Sequence, residues 1–314
     1  MTFNDHYETF DGLRVVEFPL EGPLPEVTGP VAWRVAHWDV GDEAEGRVSA
    51  EFTAVLDRFV DLAGAETTHL VIGAWGYAAV NVAPLEHFAA LAPRLPRLRA
   101  LFFGDVTFDE CEISWMKVGD VSRLLAAYPA LEVLRVRGGE EFGFSPVRHE
   151  RLRDLAVESG GLPKVFLDAV LASELPALTG LELWLGVEDY GGDITPADLA
   201  SILAGSAFPG LRRLGLRNAE HANAIAAAVA GAPVVQQLAE LALSMGTFDD
   251  EGVGALLAGQ PLTHLDALDL HFHFMTGEGS ASIVAALPGV RVDVSDPQLT
   301  GGPHAGRRYT KVSE

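Results

Sequence analysis

The residues best suited to chemistry are one acid and two histidines at alternate positions, Asp269, His271 and His273. Successive side chains of a strand point to opposite sides, so these three project together if the strand continues through His273. A carboxylate with two imidazoles is a donor set for zinc and related divalent metals. A strand that ends by His271 would instead leave a hydrogen-bonded surface cluster, so both interpretations stay open.

Other catalytic patterns are missing from the sequence. It contains no Gly-x-Ser-x-Gly elbow, no Walker-type phosphate loop and no cysteine pair for zinc. We therefore expect no catalytic residues and no cofactor, and a binding protein rather than an enzyme. The alternative is a metal-dependent enzyme or metal-binding protein centred on Asp269, His271 and His273.

The charge of the chain restricts its partners. Asp and Glu number 44 against 22 Lys and Arg, which gives a formal net charge of −22. This charge opposes binding to nucleic acids and anionic membranes, and it favours a protein partner with a basic or mixed patch. Cys111 is the only cysteine, and the sequence has neither a leader-like start nor an apolar run of membrane-spanning length. These features predict a cytoplasmic protein.

A short phrase, apolar-x-x-apolar-x-apolar, recurs along the chain and includes Asp269. Successive copies lie 21 to 33 residues apart. The last two apolar residues of a copy share one face of a strand, so each copy predicts a short parallel strand that needs neighbours to bury its apolar side. Seven clear copies begin at Leu98, Leu131, Leu152, Leu178, Leu211, Leu238 and Leu265, and two weaker copies that begin at Thr67 and Leu287 flank them.

Helical periodicity separates these copies. Apolar residues three and four apart, such as Val253, Leu256 and Leu257, mark helix faces between strands. Thr195 and Pro196 predict a helix start, because threonine caps helices and proline suits the first helical position. Alternation of strand and helix predicts an α/β solenoid with strands on one side and helices on the other.

The phrase matches leucine-rich-repeat proteins, and the longer units with a true helix look like the ribonuclease-inhibitor class. The runs 110–115, 182–186, 214–218 and 268–273 resemble an uncharacterised family of single-domain bacterial leucine-rich-repeat proteins. The resemblance implies a right-handed α/β horseshoe with a parallel concave sheet and outer helices, and it implies no activity. The chain departs from the general class in its irregular spacing and in the asparagine that usually follows the strand, which occurs only as Asn218.

The phrase also predicts the organisation of the chain. Residues 1–64 lack it and are expected to form an N-terminal cap of strands and one helix, with Ser49 as the helix N-cap. Residues 65–295 are expected to form the repeat array of about nine strands. Residues 296–314 have no apolar periodicity and are expected to form a flexible C-terminal tail.

Two surfaces are expected to contact a protein partner. One is the concave sheet face, where Trp184 lies among alternating arginines and acids, and the other is the edge at which parallel strands end. Ordinary ion pairs on the sheet and aromatic side chains that plug their own repeat are the alternatives. The expected partner-binding residues are Trp75, Trp115, Arg135, Arg137, Glu158, Glu182, Trp184, Tyr190, Arg217, Asn218, Asp269 and His271.

Overall fold

The computed structural model describes residues 4–39, 46–298 and 306–313. Residues 299–305 and 314 of the expected tail lie outside these ranges. Within them the fold is α/β, with twelve strands of a mostly parallel open sheet and eight α-helices, and the strands are ordered as in the sequence. This arrangement is that of a solenoid-like fold and confirms the expected α/β class with a parallel sheet.

The strands are β1 (Thr9–Phe10), β2 (Leu13–Glu17), β3 (Ala32–His37), β4 (His69–Trp75), β5 (Ala100–Phe103), β6 (Val133–Arg137), β7 (Asp154–Glu158), β8 (Gly180–Gly186), β9 (Arg213–Ala219), β10 (Glu240–Ala242), β11 (Ala267–Asp269) and β12 (Arg291–Asp293). The helices are α1 (Ala50–Ala63), α2 (Leu85–Ala90), α3 (Ser122–Ala127), α4 (Lys164–Leu171), α5 (Ala200–Leu203), α6 (Ala222–Ala230), α7 (Asp250–Ala258) and α8 (Gly277–Ala286). Nine strands, β4 to β12, thus lie within residues 65–295. No helix in the described ranges has both the length and the apolar character needed to cross a bilayer.

The chain divides into two compact units. The first comprises the described residues up to 156 together with 168–177, and the second comprises 157–167 with the described residues from 178 to 313. In the first unit β1 pairs antiparallel with β2, and the pairs from β2 to β6 are parallel. In the second unit the pairs from β8 to β12 are parallel.

Strand register follows the repeated phrase. In the second unit Leu181, Leu214, Leu241 and Leu268 lie side by side on adjacent strands. In the first unit Ile72 pairs with Phe103 and Phe103 with Val136, and the ring of Phe88 in α2 packs against Phe103. The apolar positions of the phrase therefore form the helix-facing core, as the two-residue period of a strand requires.

The first unit has a second core on the opposite face of its sheet. Val71, Ala100 and Phe102 are buried there against Phe10, with Tyr7 and Leu13 packed on the same cluster. Tyr7 contacts the Phe102 ring edge to face at 5.1 Å between centroids. The N-terminal segment thus covers the sheet face that the sequence predicted to be an open concave surface.

Helix starts follow the expected capping chemistry where the cap residue can reach the first turn. Ser49 accepts a hydrogen bond from the Phe52 N–H at 3.1 Å, as predicted, and Asp249 caps α7 in the same way. The expected helix start at Thr195 and Pro196 is wrong, because α5 begins only at Ala200. The Asp198 carboxylate accepts from the Thr195 N–H at 2.9 Å and forms a turn instead.

Candidate functional site

The second unit aligns polar side chains on the sheet face opposite the leucines. Register places Glu182, Gly215, Ala242, Asp269 and Asp293 in one row across strands β8 to β12. Trp184 and Arg217 form the next pair on the same face, because they are two residues further along their strands. Strand pairing therefore brings together residues that are far apart in the sequence.

A connected set of charges results, which we call the charge ladder: Glu182, Arg217, Asp269 and His271. Arg217 Nη2 lies 3.0 Å from Asp269 Oδ2, and its Nε lies 3.3 Å from Glu182 Oε2. Asp269 Oδ1 lies 2.8 Å from His271 Nδ1. The side chains of Glu182, Arg217 and Asp269 are each about a fifth exposed, so the charge ladder is largely but not completely shielded from water.

The environment of Asp269 favours its ionised form. Burial alone would raise its pKa, but the hydrogen bond from His271 and the charge of Arg217 outweigh burial and lower the pKa of Asp269 to about 2. Ser244 also donates to Asp269 Oδ2, at 3.2 Å. Both carboxylate oxygens of Asp269 are thus engaged by protein donors.

The metal set expected from the sequence does not assemble. His273 is fully buried, with its Nε2 2.9 Å from the Val294 carbonyl and its Nδ1 accepting from the Met275 N–H. The strand ends at Asp269, so His273 leaves the face of His271. Asp293 brings a ligand atom within 4.8 Å of ligand atoms of Asp269 and His271, but the adjacent Arg217 cation opposes a metal ion there. The hydrogen-bonded cluster accounts for these contacts.

A second arrangement in the same unit holds the last described residues of the chain. The side-chain amide of Asn218 contacts the main chain of Val312 twice, with Oδ1 accepting from Val312 N at 3.0 Å and Nδ2 donating to Val312 O. The Met245 carbonyl accepts from Lys311 N at 2.8 Å. Thr310 and Val312 are buried, which corrects the expectation of a flexible tail for these residues.

Side chains of the tail are also held. The Tyr309 ring contacts Phe274 and Phe272, at 5.3 and 5.8 Å between centroids. Lys311 Nζ lies 3.0 Å from Asp296 Oδ2 and 5.2 Å from the centre of the Phe272 ring. Arg308 forms an ion pair with Asp249. We call this arrangement the tail site, formed by Asn218, Met245, Asp249, Phe272, Phe274 and Asp296.

The backbone of the tail site is unusual at three successive strand ends. Asn218, Met245 and Phe272 have φ values of 53°, 70° and 53°, and each follows its strand's last phrase leucine by two residues. Asparagine tolerates this left-handed region, whereas bulky Met and Phe rarely adopt it. Such strained residues cluster at ligand-holding sites in proteins.

The first unit contains a buried charge cluster beneath its N-terminal segment. Arg34 Nε donates to Asp105 Oδ2 at 3.0 Å, and Arg34 Nη1 donates to Glu17 Oε1 at 3.0 Å. His6 Nδ1 lies 3.6 Å from Asp105 Oδ2, and His6 Nε2 lies 3.5 Å from Glu110 Oε1. Asp105 is fully buried and its pKa is lowered, because the effects of His6, Arg137 and Arg34 outweigh that of burial.

Stability should depend on the protonation of His6. Its contacts with Asp105 and then Glu110 raise the pKa of His6 from 6.5 to about 9. A raised pKa means that protonated His6 stabilises the fold. This contribution is fully present below pH 6.5 and is lost as the pH rises to about 9. Because the side chain is 35% exposed, we expect a loss of about 1–2 kcal/mol across this window. Urea unfolding at both ends of the window measures it, and His6→Gln should remove this part of the pH dependence. Equal pH slopes for the two proteins would contradict the prediction.

The expected partner-binding residues separate into exposed and interior positions. Trp75, Arg137, Glu158 and Trp184 are buried, so the expectation that they contact a partner is corrected. Trp75 donates to the Asn81 carbonyl and packs inside the core on Phe103 of the next strand. Trp184 pairs in register with Arg217 and donates to Glu182 Oε1 at 3.0 Å. Trp115 is 55% exposed.

Three further residues of the predicted set are neither well exposed nor part of the charge ladder: Arg135, Tyr190 and Asn218. Arg135 is half-buried, donates to the Tyr7 hydroxyl at 3.1 Å and lies 5.4 Å from the centre of the Tyr7 ring. Tyr190 is half-buried in the short 3-10 helix Glu188–Tyr190. Asn218 is buried, but its amide is committed to the tail. Of the predicted set, Glu182, Trp184, Arg217, Asp269 and His271 come together.

Sequence reasoning did not identify the buried charge cluster or the tail site. An arginine between the apolar residues Trp33 and Val35 of strand β3 was one signal for the first. A second signal was Gly73, a glycine inside strand β4. The structure gives its reason: a Cβ at this position would lie 2.5 Å from Arg34 Nη2. The basic and aromatic run Arg307–Arg308–Tyr309 near the end of an acidic chain was a signal for the tail site.

Comparison with known proteins supports the fold and gives no activity. A crystal structure of a structural-genomics target from Bacteroides fragilis matches with a TM-score of 0.75 and 29% sequence identity. The match covers 82% of this chain and 72% of the Bacteroides protein. No protein-family model matches the chain, and no curated protein matches it.

Proposed function

We propose that the chain is a cytoplasmic leucine-rich-repeat solenoid of the ribonuclease-inhibitor-like type that binds a protein partner. The partner contacts the sheet face bearing the charge ladder and the neighbouring strand ends of the second unit. The observation that carries this proposal is the charge ladder itself, whose acids remain partly exposed on a rigid sheet. The leucine-rich-repeat assignment is supported by the alignment of phrase leucines on adjacent strands.

The chemistry of the face favours binding over catalysis. The acids and Arg217 hold one another in fixed positions, and Asp293 adds an exposed carboxylate in the same row as Asp269. Fixed, partly desolvated charges recognise a partner of complementary charge and accelerate its association. With a net charge of −22, the chain favours a partner that presents a basic or mixed patch.

The test is quantitative capture of a partner on the immobilised full chain. Protein captured from a lysate of the source cells is identified and measured by mass spectrometry, at about 0.05 and 0.3 M salt. Asp293→Lys reverses an exposed charge beside the charge ladder and should reduce the captured partner at least about tenfold. Capture should also fall at the higher salt concentration.

Asp266→Lys is the matched control, because Asp266 is exposed just before β11, at the other end of the strand from His271. It makes the same charge change in the same unit and should leave capture unchanged. An equal loss of captured partner in both variants would show that the effect comes from net charge alone. No loss in either variant would exclude the sheet face with the charge ladder as the binding surface. Capture that requires zinc and is abolished by a chelator would favour the metal-binding alternative.

A further inference from the structure

We infer that the tail site is a peptide-binding site for an extended basic and aromatic segment of a protein partner, and that the chain's own tail occupies it in the resting protein. This inference rests on the proposed function, because it specifies the partner segment that the strand ends would hold. It adds a regulatory consequence, since a partner must displace residues 308–312 to bind.

The first reason is that the tail is held through its main chain. Asn218 satisfies both the N–H and the carbonyl of Val312, and the Met245 carbonyl takes the N–H of Lys311. Every peptide offers these groups, and a buried side-chain amide that matches them in pairs is a recognition device for extended peptides. A partner segment can therefore form the same hydrogen bonds.

The second reason is that successive tail side chains have distinct partners. Arg308 pairs with Asp249, Tyr309 packs on Phe272 and Phe274, Lys311 pairs with Asp296, and Val312 is buried. Thr310 donates to the Val312 carbonyl within the tail and is buried, which requires a small side chain there. The site thus selects the pattern basic, aromatic, small, basic, aliphatic.

The third reason is charge complementarity. Residues 307–311 contain three of the 22 basic residues of a chain whose net charge is −22. The site faces them with the carboxylates of Asp249 and Asp296 and with the ring of Phe272. Acidic groups and an aromatic face attract a cationic segment whether it is attached or supplied by another protein.

The test uses a fluorescein-labelled peptide of residues 306–313 and the full chain. A tail-displaced chain carries Lys311→Pro, which removes the N–H that Met245 accepts, and Val312→Asp, which places a charge in the buried position. The attached tail competes at an effective concentration on the order of mM. Fluorescence anisotropy should therefore show at least about tenfold tighter peptide binding to the tail-displaced chain than to the unmodified chain.

The matched control adds Asn218→Gly to the tail-displaced chain. Glycine adopts the left-handed backbone of residue 218 but lacks the amide, so peptide affinity should fall at least about tenfold while the thermal transition persists. Equal binding with and without Asn218 would mean nonspecific attraction of a basic peptide to an acidic chain and would overturn the inference. Absence of binding to a folded tail-displaced chain would overturn it as well.

A second measurement needs no substitution. Excess unlabelled peptide added to the unmodified chain should accelerate hydrogen exchange of the Lys311 and Val312 amides, because displacement frees both N–H groups. Unchanged exchange at saturating peptide would also overturn the inference. Failure of this inference can be distinguished from failure of the proposed function. If the peptide binds but Asp293→Lys does not change the amount of captured protein, the charge ladder is excluded as a binding surface and the tail site is retained.

Discussion

Replacing Arg34 by Met is expected to destabilise the protein by about 3–5 kcal/mol, because the change removes from the buried Asp105 carboxylate the arginine that pairs with it directly. The Arg34 side chain is almost completely buried and donates twice to Asp105, once to its carboxylate and once to its carbonyl. Methionine fills much of the same volume, so the loss reports the missing charge rather than a cavity. Equilibrium urea denaturation of both proteins at neutral pH measures the difference.

The matched control is Glu17→Gln, which removes the charge of a second acid that Arg34 contacts, at 3.0 Å. The Glu17 side chain is 64% exposed, and exposed ion pairs contribute less than about 1 kcal/mol. A large gap between Arg34→Met and Glu17→Gln is therefore expected. Equal effects would show that Asp105 is stabilised by its other neighbours, His6 and Arg137.

Gly186→Ala is expected to destabilise the second unit by roughly 2–4 kcal/mol, through backbone strain and steric overlap. Gly186 ends β8 with a φ of +72°, and a Cβ there would overlap the carbonyl of Gly160. The chain at Gly160 cannot move freely, because its carbonyl accepts from Val187 N at 2.9 Å and the next residues pair with the end of β8. Thermal unfolding monitored by circular dichroism measures the loss.

Gly254→Ala makes the same chemical change without these constraints. Gly254 lies inside α7, is exposed, and would place its Cβ in open space. Alanine has the higher helix propensity by about 0.5–1 kcal/mol, so this variant should be slightly more stable than the parent. A parent-like Gly186→Ala beside a stabilised Gly254→Ala would show that the Gly160 loop relaxes without cost.

The repeated phrase allowed the strands to be located because strand burial has a two-residue period that sequence records directly. Leu214 and Leu241, for example, are neighbours by register because each occupies the same position in its own copy. No comparable pattern in the sequence indicates what covers the opposite face of the sheet, away from the helices. Tyr7 and Phe10 lie in a segment without periodicity, yet they bury Phe102 and screen Arg135.

The candidate sites show the same limit. Asp269 and His271 are two residues apart, so their proximity could be predicted from strand geometry, whereas Arg217 reaches them only through the pairing of β9, β10 and β11. His273 was misplaced because the strand ends at Asp269 and Phe272 turns through the left-handed region. Asn218 was recognised as the one asparagine after a strand, but its contact with Val312 spans 94 residues and has no local signature.

The N-terminal segment of the first unit also has a consequence for the order of folding. Strands β2 to β6 each pair with the strand that precedes them in the chain, so they can assemble progressively during synthesis. Tyr7 and Asp11 instead bond to Arg135 and Arg153, across separations of 128 and 142 residues. Contacts of such long range form late, because the intervening chain must first be ordered. Tyr7 and Asp11, which precede β2 to β6 in the chain, are therefore fixed in place only after those strands have paired.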